Sequence, residues 1–299
     1  MGFRLGGQDM TTSKNALLLF CKPPIPGLVK TRMCKENGGP LSHEQAAAFF
    51  RASILDEADL AMLAFDLLEL DNVVEREEDS RAPTRSYDLF VSTTPAADLP
   101  IMKSVFEDEG GWDRPITYLV DSGCSFDQHF NDAFEQIFDK GYDNIVALGG
   151  DMPLLAPREI VDAFKWLDCL AADHGGLGLV IAPCQESGTS IVGRTRETPV
   201  PAEGVFYNKL GRTVVAGYLE FLRQNSIPFA FLDAVSDVDN GADLAHLVTC
   251  LDAMADAYEY QPGMYLPRRV LAWADSELIR AVAIPNDEYD PRSHIDVTE

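Results

Sequence analysis

The sequence is poor in positive charge. Its 299 residues include 24 Lys and Arg against 48 Asp and Glu, which gives a formal net charge of −24. Proteins that hold nucleic acid or an anionic membrane by charge concentrate Lys and Arg on one face. The shortage therefore argues against nucleic acid and against a membrane surface as partners. A phosphate-bearing substrate would need a local basic pocket or a metal ion.

The chain also lacks long hydrophobic runs and paired cysteines. No segment reaches the ~18 uninterrupted apolar residues of a membrane span, and residues 1–13 lack the apolar core of a signal peptide. The six cysteines form no CxxC pair, and no His stands at zinc-ligand spacing. This pattern is typical of a reduced compartment. We therefore expect a cytoplasmic protein without a membrane span.

Short apolar runs alternate with amphipathic segments along most of the sequence. A strand is predicted over residues 15–22, and a capping-box signal at Ser42 and Gln45 opens a long helix over residues 46–68. The charged residues 69–86 are interpreted as a solvated connection. Further strands are predicted over residues 87–92, 116–120, 144–148, 177–182 and 229–232, and further helices over residues 126–138, 157–172, within 204–224, and over 268–282.

This alternation of buried strands with helices implies an α/β fold. Its sheet would be mostly parallel and covered by helices on both faces, as a three-layer α/β/α domain. We divide the chain into a flexible start (residues 1–14), one α/β domain (residues 15–260) and a C-terminal appendage (residues 261–299). Ligands of such sheets bind beyond the carboxyl ends of the strands, so the loops there are the candidate sites.

The loop after the first strand is the most basic part of an acidic chain. Lys22, Lys30 and Arg32 fall within eleven positions. Gly27 would let the backbone approach a ligand, and Lys30 and Arg32 could neutralise a diphosphate. A P-loop is excluded because its Lys directly follows a Gly, whereas Val29 precedes Lys30. The alternative is a proline-rich turn with exposed basic residues.

Two acidic motifs follow later strands. In Gly149-Gly150-Asp151-Met152-Pro153 the glycines allow a close turn, and Asp151 would project into the crevice as a metal ligand. Asp237 and Asp239 point the same way on an extended segment, so one of them could complete the site. The alternative for Asp151 is that it caps the following helix. Asp243 is better explained as helix-start chemistry.

A polar loop over residues 183–189 follows another apolar strand. It contains Glu186, Ser187 and Gly188, which could hold an acceptor hydroxyl or a sugar ring. An ordinary turn explains these residues equally well.

The order of the motifs resembles the DUF2064 family, described as glycosyltransferase A-fold, nucleotide-diphospho-sugar transferase-like proteins. The resemblance runs from about Ala16 to about Leu251. Where the family has D-G-G-Y, this chain has residues 186–189, and the family's L-G-x-R-M segment has no Arg here, within residues 122–130. The matching residues are Pro23, Gly27, Lys30, Thr31 and Arg32, then Gly149, Asp151 and Pro153, then Asp237, Asp239, Asp243 and Leu244.

The resemblance implies a glycosyltransferase A-like fold and an enzyme that transfers a sugar from a nucleotide diphosphate sugar to a small-molecule acceptor. Mg²⁺ or Mn²⁺ held by Asp151 and Asp239 would neutralise the departing diphosphate. Glu186 would serve as a base or acceptor contact, beside Ser187 and Gly188. The nucleotide site would consist of Pro23, Gly27, Lys30, Thr31, Arg32, Gly149 and Gly150.

Two other functions remain open. A nucleotidyltransferase would use the same residues and differ only in the leaving group, since a fold does not settle the chemistry. A catalytically silent nucleotide-binding protein would explain the altered acceptor loops.

Overall fold

The computed structural model describes residues 12–199, 201, 203–261 and 263–279, and within them the centre of the fold is a seven-stranded sheet. Residues 12–14 of the predicted flexible start belong to the first strand instead, and residues 1–11 lie outside the described residues. The strands are β1 (Thr12–Phe20), β2 (Thr84–Thr93), β3 (Ile116–Val120), β4 (Asn144–Leu148), β5 (Leu179–Pro183), β6 (Thr189–Thr195) and β7 (Phe229–Phe231).

The sheet has the order β3-β2-β1-β4-β6-β5-β7. β1 pairs in parallel with β2 and β4, β2 with β3, and β5 with β7. β6 is antiparallel to both of its neighbours, β4 and β5. The prediction of a mostly parallel sheet is therefore confirmed.

Helices cover both faces of this sheet. They are α1 (His43–Glu78), α2 (Leu99–Glu107), α3 (Phe126–Phe138), α4 (Pro157–Asp173), α5 (Val214–Asn225), α6 (Gly241–Ala257) and α7 (Arg268–Ser276). Side chains of a strand alternate between faces: Leu17 and Leu19 of β1 pack with α1, α2 and α4, whereas Ala16 and Leu18 pack with α3 and α5. The predicted three-layer α/β/α architecture is confirmed.

A third apolar cluster lies on the outer side of α1, where α6 and α7 pack. Phe49 of α1 contacts Trp273 of α7, with ring centroids 5.1 Å apart. The buried carboxylate of Asp56 accepts hydrogen bonds from the backbone N–H groups of Arg269 and Val270 at the start of α7. The C-terminal helix is thus fixed to α1 by packing and by a capped helix terminus. Residues 280–282 of the predicted last helix lie outside the described residues.

Three parts of the fold differ from the sequence predictions. Residues 69–78, predicted as a solvated connection, continue α1, because their charges stay exposed and pair outside the helix, as Glu69 does with Arg114. β6 was missed because its apolar run, Ile191 and Val192, has only two residues and is followed by Gly193 and the buried Arg194. The guanidinium of Arg194 pairs with Glu135 at 2.6 Å. α2 was also missed, because prolines and the shortness of its apolar stretch hid the helical spacing of its apolar residues.

Other predicted bounds hold closely. Residues 116–120, 126–138 and 144–148 form β3, α3 and β4 as predicted. Among the described residues, none of the helices combines the length and the apolar character needed to cross a membrane.

Candidate functional site

A cleft of about 760 Å³ lies beyond the carboxyl ends of the strands. Its lining comes from loops that follow β1, β2, β3, β4 and β5, so it lies where parallel sheets bind ligands. One end of it is ionic and the other is aromatic. The predicted residues that line it are Lys30, Thr31, Arg32, Gly149, Gly150, Asp151, Gly188, Asp237 and Asp239.

The loop after β1 directs Lys30 into the ionic end. Gly27 has a φ of 81° in the left-handed region, which glycine adopts without strain. Lys30 has a φ of 49°, and such a conformation costs energy for a residue with a Cβ. Pro23 is buried within the loop and does not line the cleft. The energetic cost of this backbone conformation at Lys30 must therefore be offset by the contacts of its side chain.

Those contacts are two carboxylates from distant parts of the chain. Lys30 Nζ donates to Asp151 Oδ2 at 2.5 Å and to Asp239 Oδ1 at 2.8 Å, and its side chain is only 7% exposed. Arg32 Nη1 donates to the other oxygen of Asp239 at 3.0 Å. The structure thus joins the four predicted ionic residues in one network, and we call them the ionic cluster.

Neither carboxylate is occupied with capping a helix. The N-cap of α4 is Ala156, and the N-cap of α6 is Asn240. Asp243 accepts from the backbone N–H of Asn240, which confirms its predicted role at the start of α6. The alternative explanation of Asp151 as a helix cap is therefore wrong.

The charges in the cluster support one another. Burial alone would lower the pKa of Lys30, but Asp151 and Asp239 outweigh it and raise the pKa, so the ammonium stays charged. Burial would raise the pKa of Asp239, but Lys30 and Arg32 lower it. Asp237 lacks such a direct cation, and burial and the charge of Asp151 raise its pKa. Asp237 thus takes up a proton more easily than an ordinary Asp does.

The turn that carries Asp151 is packed against α1. A Cβ on Gly150 would lie 2.6 Å from Cγ2 of Ile54, so only glycine fits there. Behind the turn, Oε1 of the buried Glu57 accepts from the backbone N–H of Met152 at 2.8 Å. Burial raises the pKa of Glu57 well above its usual value. Glu57 was not predicted, although an acidic residue within the apolar stretch of a helix is a detectable signal.

The aromatic end of the cleft is formed by four rings. We call Phe20, Phe126, Phe206 and Tyr207 the aromatic wall. Phe126 lies 4.7 Å from Phe206, 5.4 Å from Phe20 and 5.5 Å from Tyr207, measured between ring centroids. Tyr207 is largely exposed. No sequence pattern predicts this wall, because its members come from three separate segments.

A hydrogen-bonded set of polar residues adjoins the aromatic wall. The buried Asp121, directly after β3, accepts from Ser92 Oγ at 2.6 Å and lies 2.7 Å from Nδ1 of His129. All three residues line the cleft. His129 belongs to the segment in which the Arg of the DUF2064 pattern is missing. The cleft therefore contains an oriented imidazole that sequence reasoning did not predict.

The predicted acceptor loop lies only partly in the cleft. Gly188 lines it, whereas Glu186 and Ser187 are exposed on the preceding turn, with φ of 56° and 57°. Cys184 also lines the cleft, and burial together with Asp237 raises the pKa of its thiol to about 12. The thiol is thus a poor nucleophile at neutral pH.

A different group of metal-ligating residue types lies near the start of α1. Cys34, Glu36 and His43 bring one ligand atom each within 4.8 Å of one another, and they are the one such group among the residues that the structure describes. None of them was predicted. His43 Nε2 already pairs with Glu36 Oε1 at 3.2 Å. The group is separate from Asp151 and Asp239.

The comparisons with known proteins agree with the fold. Residues 81–209 match DUF2064, a family of uncharacterized proteins conserved in bacteria, so the resemblance to this family is confirmed over that segment. No curated protein matches the sequence. The matched segment includes Asp151 but neither Lys30 nor Asp239.

One solved structure extends the likeness over most of the chain. A protein of Desulfovibrio desulfuricans G20 with the provisional name nucleotide-diphospho-sugar transferase has a TM-score of 0.60 at 21% identity, covering 88% of this chain and 96% of its own. A cytidylyltransferase of Leptospira borgpetersenii has a TM-score of 0.42 at 13% identity, covering 91% and 99%. At such identity the first likeness establishes the nucleotide-diphospho-sugar transferase-like fold and no activity.

Proposed function

Starting from the DUF2064 match and this fold, we propose that the protein is a divalent-metal-assisted transferase that moves a sugar from a nucleotide diphosphate sugar to a small-molecule acceptor. One observation carries the proposal: a single cleft joins two cations and two carboxylates to an aromatic wall. A nucleotide diphosphate has the complementary parts, namely a planar base and a dense negative charge.

The two ends of the cleft suit the two parts of the nucleotide. Bases stack on aromatic side chains, and the exposed Tyr207 and Phe126 offer ring faces at the mouth of the cleft. Lys30 and Arg32 supply charge for the phosphate oxygens, Lys as a point charge and Arg as a fork. Arg32 is 70% exposed and has one carboxylate contact, so it can turn to a ligand at small cost.

The carboxylates fit a hard divalent cation. Mg²⁺ and Mn²⁺ prefer carboxylate oxygens. Oδ2 of Asp151 and Oδ1 of Asp239 both contact one atom, Lys30 Nζ, so a cation in that position would reach both oxygens. When bound there, Mg²⁺ or Mn²⁺ would neutralise charge that develops on the departing diphosphate.

The acceptor would enter from the side of Gly188 and Asp237. Glu186 and Ser187 lie on the exposed turn directly before Gly188, which lines the cleft. In this proposal Glu186 contacts the acceptor or accepts its proton. The rate of sugar transfer would depend mainly on the ionic cluster. Stabilising the charge that develops on the leaving group usually contributes most to the rate of such a transfer.

Product analysis tests this function. The protein is incubated with Mn²⁺ and a panel of nucleotide sugars, and separately with nucleoside triphosphates and sugar phosphates. Release of nucleoside diphosphate supports sugar transfer, and release of pyrophosphate supports nucleotidyl transfer instead. Binding without either product supports a silent nucleotide-binding protein. Asp151→Asn is the control for product release that depends on the site.

Nucleotide binding is measured first, by the thermal stabilisation that it causes. A ligand at 100 times its Kd stabilises a protein by about 2.7 kcal/mol. If no nucleotide with or without Mn²⁺ raises the Tm, and calorimetry also finds no binding, the proposed function is wrong.

A further inference from the structure

We propose that Lys30 is an internal counter-ion that occupies the cation position of the cleft in the ligand-free protein and moves to the diphosphate when a metal ion takes that position. The inference rests on the proposed function and adds to it a mode of regulation. Metal and nucleotide would then each bind weakly alone and more tightly together.

The ammonium of Lys30 and a metal ion compete for one position. Lys30 Nζ lies 2.5 Å from Asp151 Oδ2 and 2.8 Å from Asp239 Oδ1. Oxygen ligands of Mg²⁺ and similar hard cations lie at roughly 2.0–2.6 Å. A metal ion bound to the same two oxygens would therefore stand where the ammonium now stands. The two cations exclude each other.

The charges of the ionic cluster are balanced in the ligand-free protein. The carboxylates of Asp151 and Asp239 are neutralised by Lys30 and Arg32, so these four side chains carry no net charge. A divalent cation that approaches them gains little until Lys30 has left. Once it has left, two carboxylates face one cation, and the attraction is large at such short distances. The resting ion pairs therefore oppose metal binding.

Lys30 also has the means to move. It lies on a loop, in a left-handed conformation that costs energy, and lysine has a flexible four-carbon stem. Its side chain is nearly buried, with Nζ 5.8 Å from the ring centre of Phe50, so an ammonium without a negative partner would be costly. The diphosphate is the partner that the proposed ligand brings.

Thermodynamic linkage then fixes the direction in which each ligand changes the affinity for the other. If nucleotide draws Lys30 away from the carboxylates, it raises the affinity for metal, and metal must raise the affinity for nucleotide by the same factor. Because Lys30 carries this coupling, its removal should have opposite effects on the two ligands.

The test measures Mn²⁺ binding without nucleotide, by the paramagnetic resonance signal of free Mn²⁺. Lys30→Met should bind Mn²⁺ roughly tenfold more tightly than the wild type, a gain within the range typical of coupled sites. Lys165→Met is the matched control, since Lys165 forms an exposed ion pair with Asp71 at 2.6 Å. It should leave Mn²⁺ affinity unchanged. Adding Asp239→Asn to Lys30→Met should abolish the gain.

The second measurement uses the wild type and the four common nucleoside diphosphates. Each diphosphate that binds should increase Mn²⁺ affinity beyond its own complexation in solution, and Lys30→Met should lose most of this increase. Lys30→Gln is a second variant in case Lys30→Met does not fold, as circular dichroism would show.

The outcomes separate the two proposals. A folded Lys30 variant that gains no Mn²⁺ affinity, or gains no more than Lys165→Met, overturns the exchange. Tight Mn²⁺ binding by the wild type alone also overturns it. A gain in Lys30→Met with no nucleoside diphosphate bound by the wild type supports the mutual exclusion of Lys30 and metal while rejecting the proposed function.

Discussion

The two ends of the sheet each hold a basic side chain between two carboxylates. At the carboxyl ends of the strands, Lys30 lies between Asp151 and Asp239. At the amino ends, Arg85 of β2 pairs with Glu75 at 2.5 Å and with Asp168 at 2.6 Å. The charge pattern is the same, but the surroundings differ.

Arg85 is held by rigid elements. It stands on a strand, its guanidinium is planar, and Asp168 also accepts from Asn144 at 2.9 Å, which in turn donates to Asn15 of β1 at 2.8 Å. The adjoining cavity has about 330 Å³. Lys30 instead stands on a strained loop beside a cleft more than twice as large. Of the two clusters, the one at the carboxyl ends thus has its cation on a loop and the larger space for a ligand beside it.

The carboxylates of the two clusters should differ most strongly in metal binding. Asp151→Asn should lower nucleotide-dependent Mn²⁺ affinity by about tenfold or more, since even residues that merely support a metal ligand typically contribute that much. Asp168→Asn should leave it unchanged. Calorimetric titration of both variants with Mn²⁺ and nucleotide checks this. Equal losses would mean that the carboxyl-end cluster has no special role in metal binding.

The two cations should also differ in how much they contribute to stability, and we expect this difference to be smaller than the difference in metal binding. Arg85→Met should lower the free energy of unfolding by on the order of 1–3 kcal/mol, because it leaves the largely buried Asp168 without its cation. Lys30→Met should cost less, because it also removes the desolvation of an ammonium that is only 7% exposed, and Asp239 keeps its contact with Arg32. Urea unfolding of both variants measures the difference. A larger loss in Lys30→Met would make the carboxyl-end cluster the structural one.

A change in pH dependence should be weaker still. Burial raises the pKa of Asp168, although Arg85 and Asn144 lower it in part. The folded protein then binds this proton more tightly than the unfolded chain does, so the free energy of unfolding falls as pH rises from about 3.9, the ordinary Asp value, through the raised pKa. Asp168→Asn should remove this fall.

The control for this measurement is Asp173→Asn, at the exposed end of the same helix. Urea unfolding across that pH range should give the same slope for Asp173→Asn and the wild type. An unchanged slope in Asp168→Asn would contradict the assignment.

The sheet could largely be predicted because burial on both faces leaves continuous apolar runs. Residues 145–148 are such a run, and all four are buried in β4. β6 escaped prediction because a charged residue can be buried in a strand once a partner is available. The pairing of Arg194 with Glu135 depends on the fold and cannot be seen in the order of residues.

The same distinction applies to the candidate site. The position of Lys30, Arg32, Asp151 and Asp239 in the cleft could be predicted, because glycines, prolines and like charges cluster in their loops. Nothing in the sequence indicated that Lys30 would lie between the two carboxylates. His129 and Asp121 were missed because an imidazole becomes notable only when a buried carboxylate orients it. The aromatic wall depends equally on a meeting of distant segments.

The attachment of α7 to α1 matters for anyone who engineers this protein. Asp56 is 2% exposed, and its partners in α7 come from Arg269 and Val270. Deleting the chain from Arg268 onward would leave a buried carboxylate without those donors and would uncover Phe49. Truncated variants should therefore end after α7. Truncation before α7 would give an aggregation-prone, poorly soluble protein rather than a smaller domain.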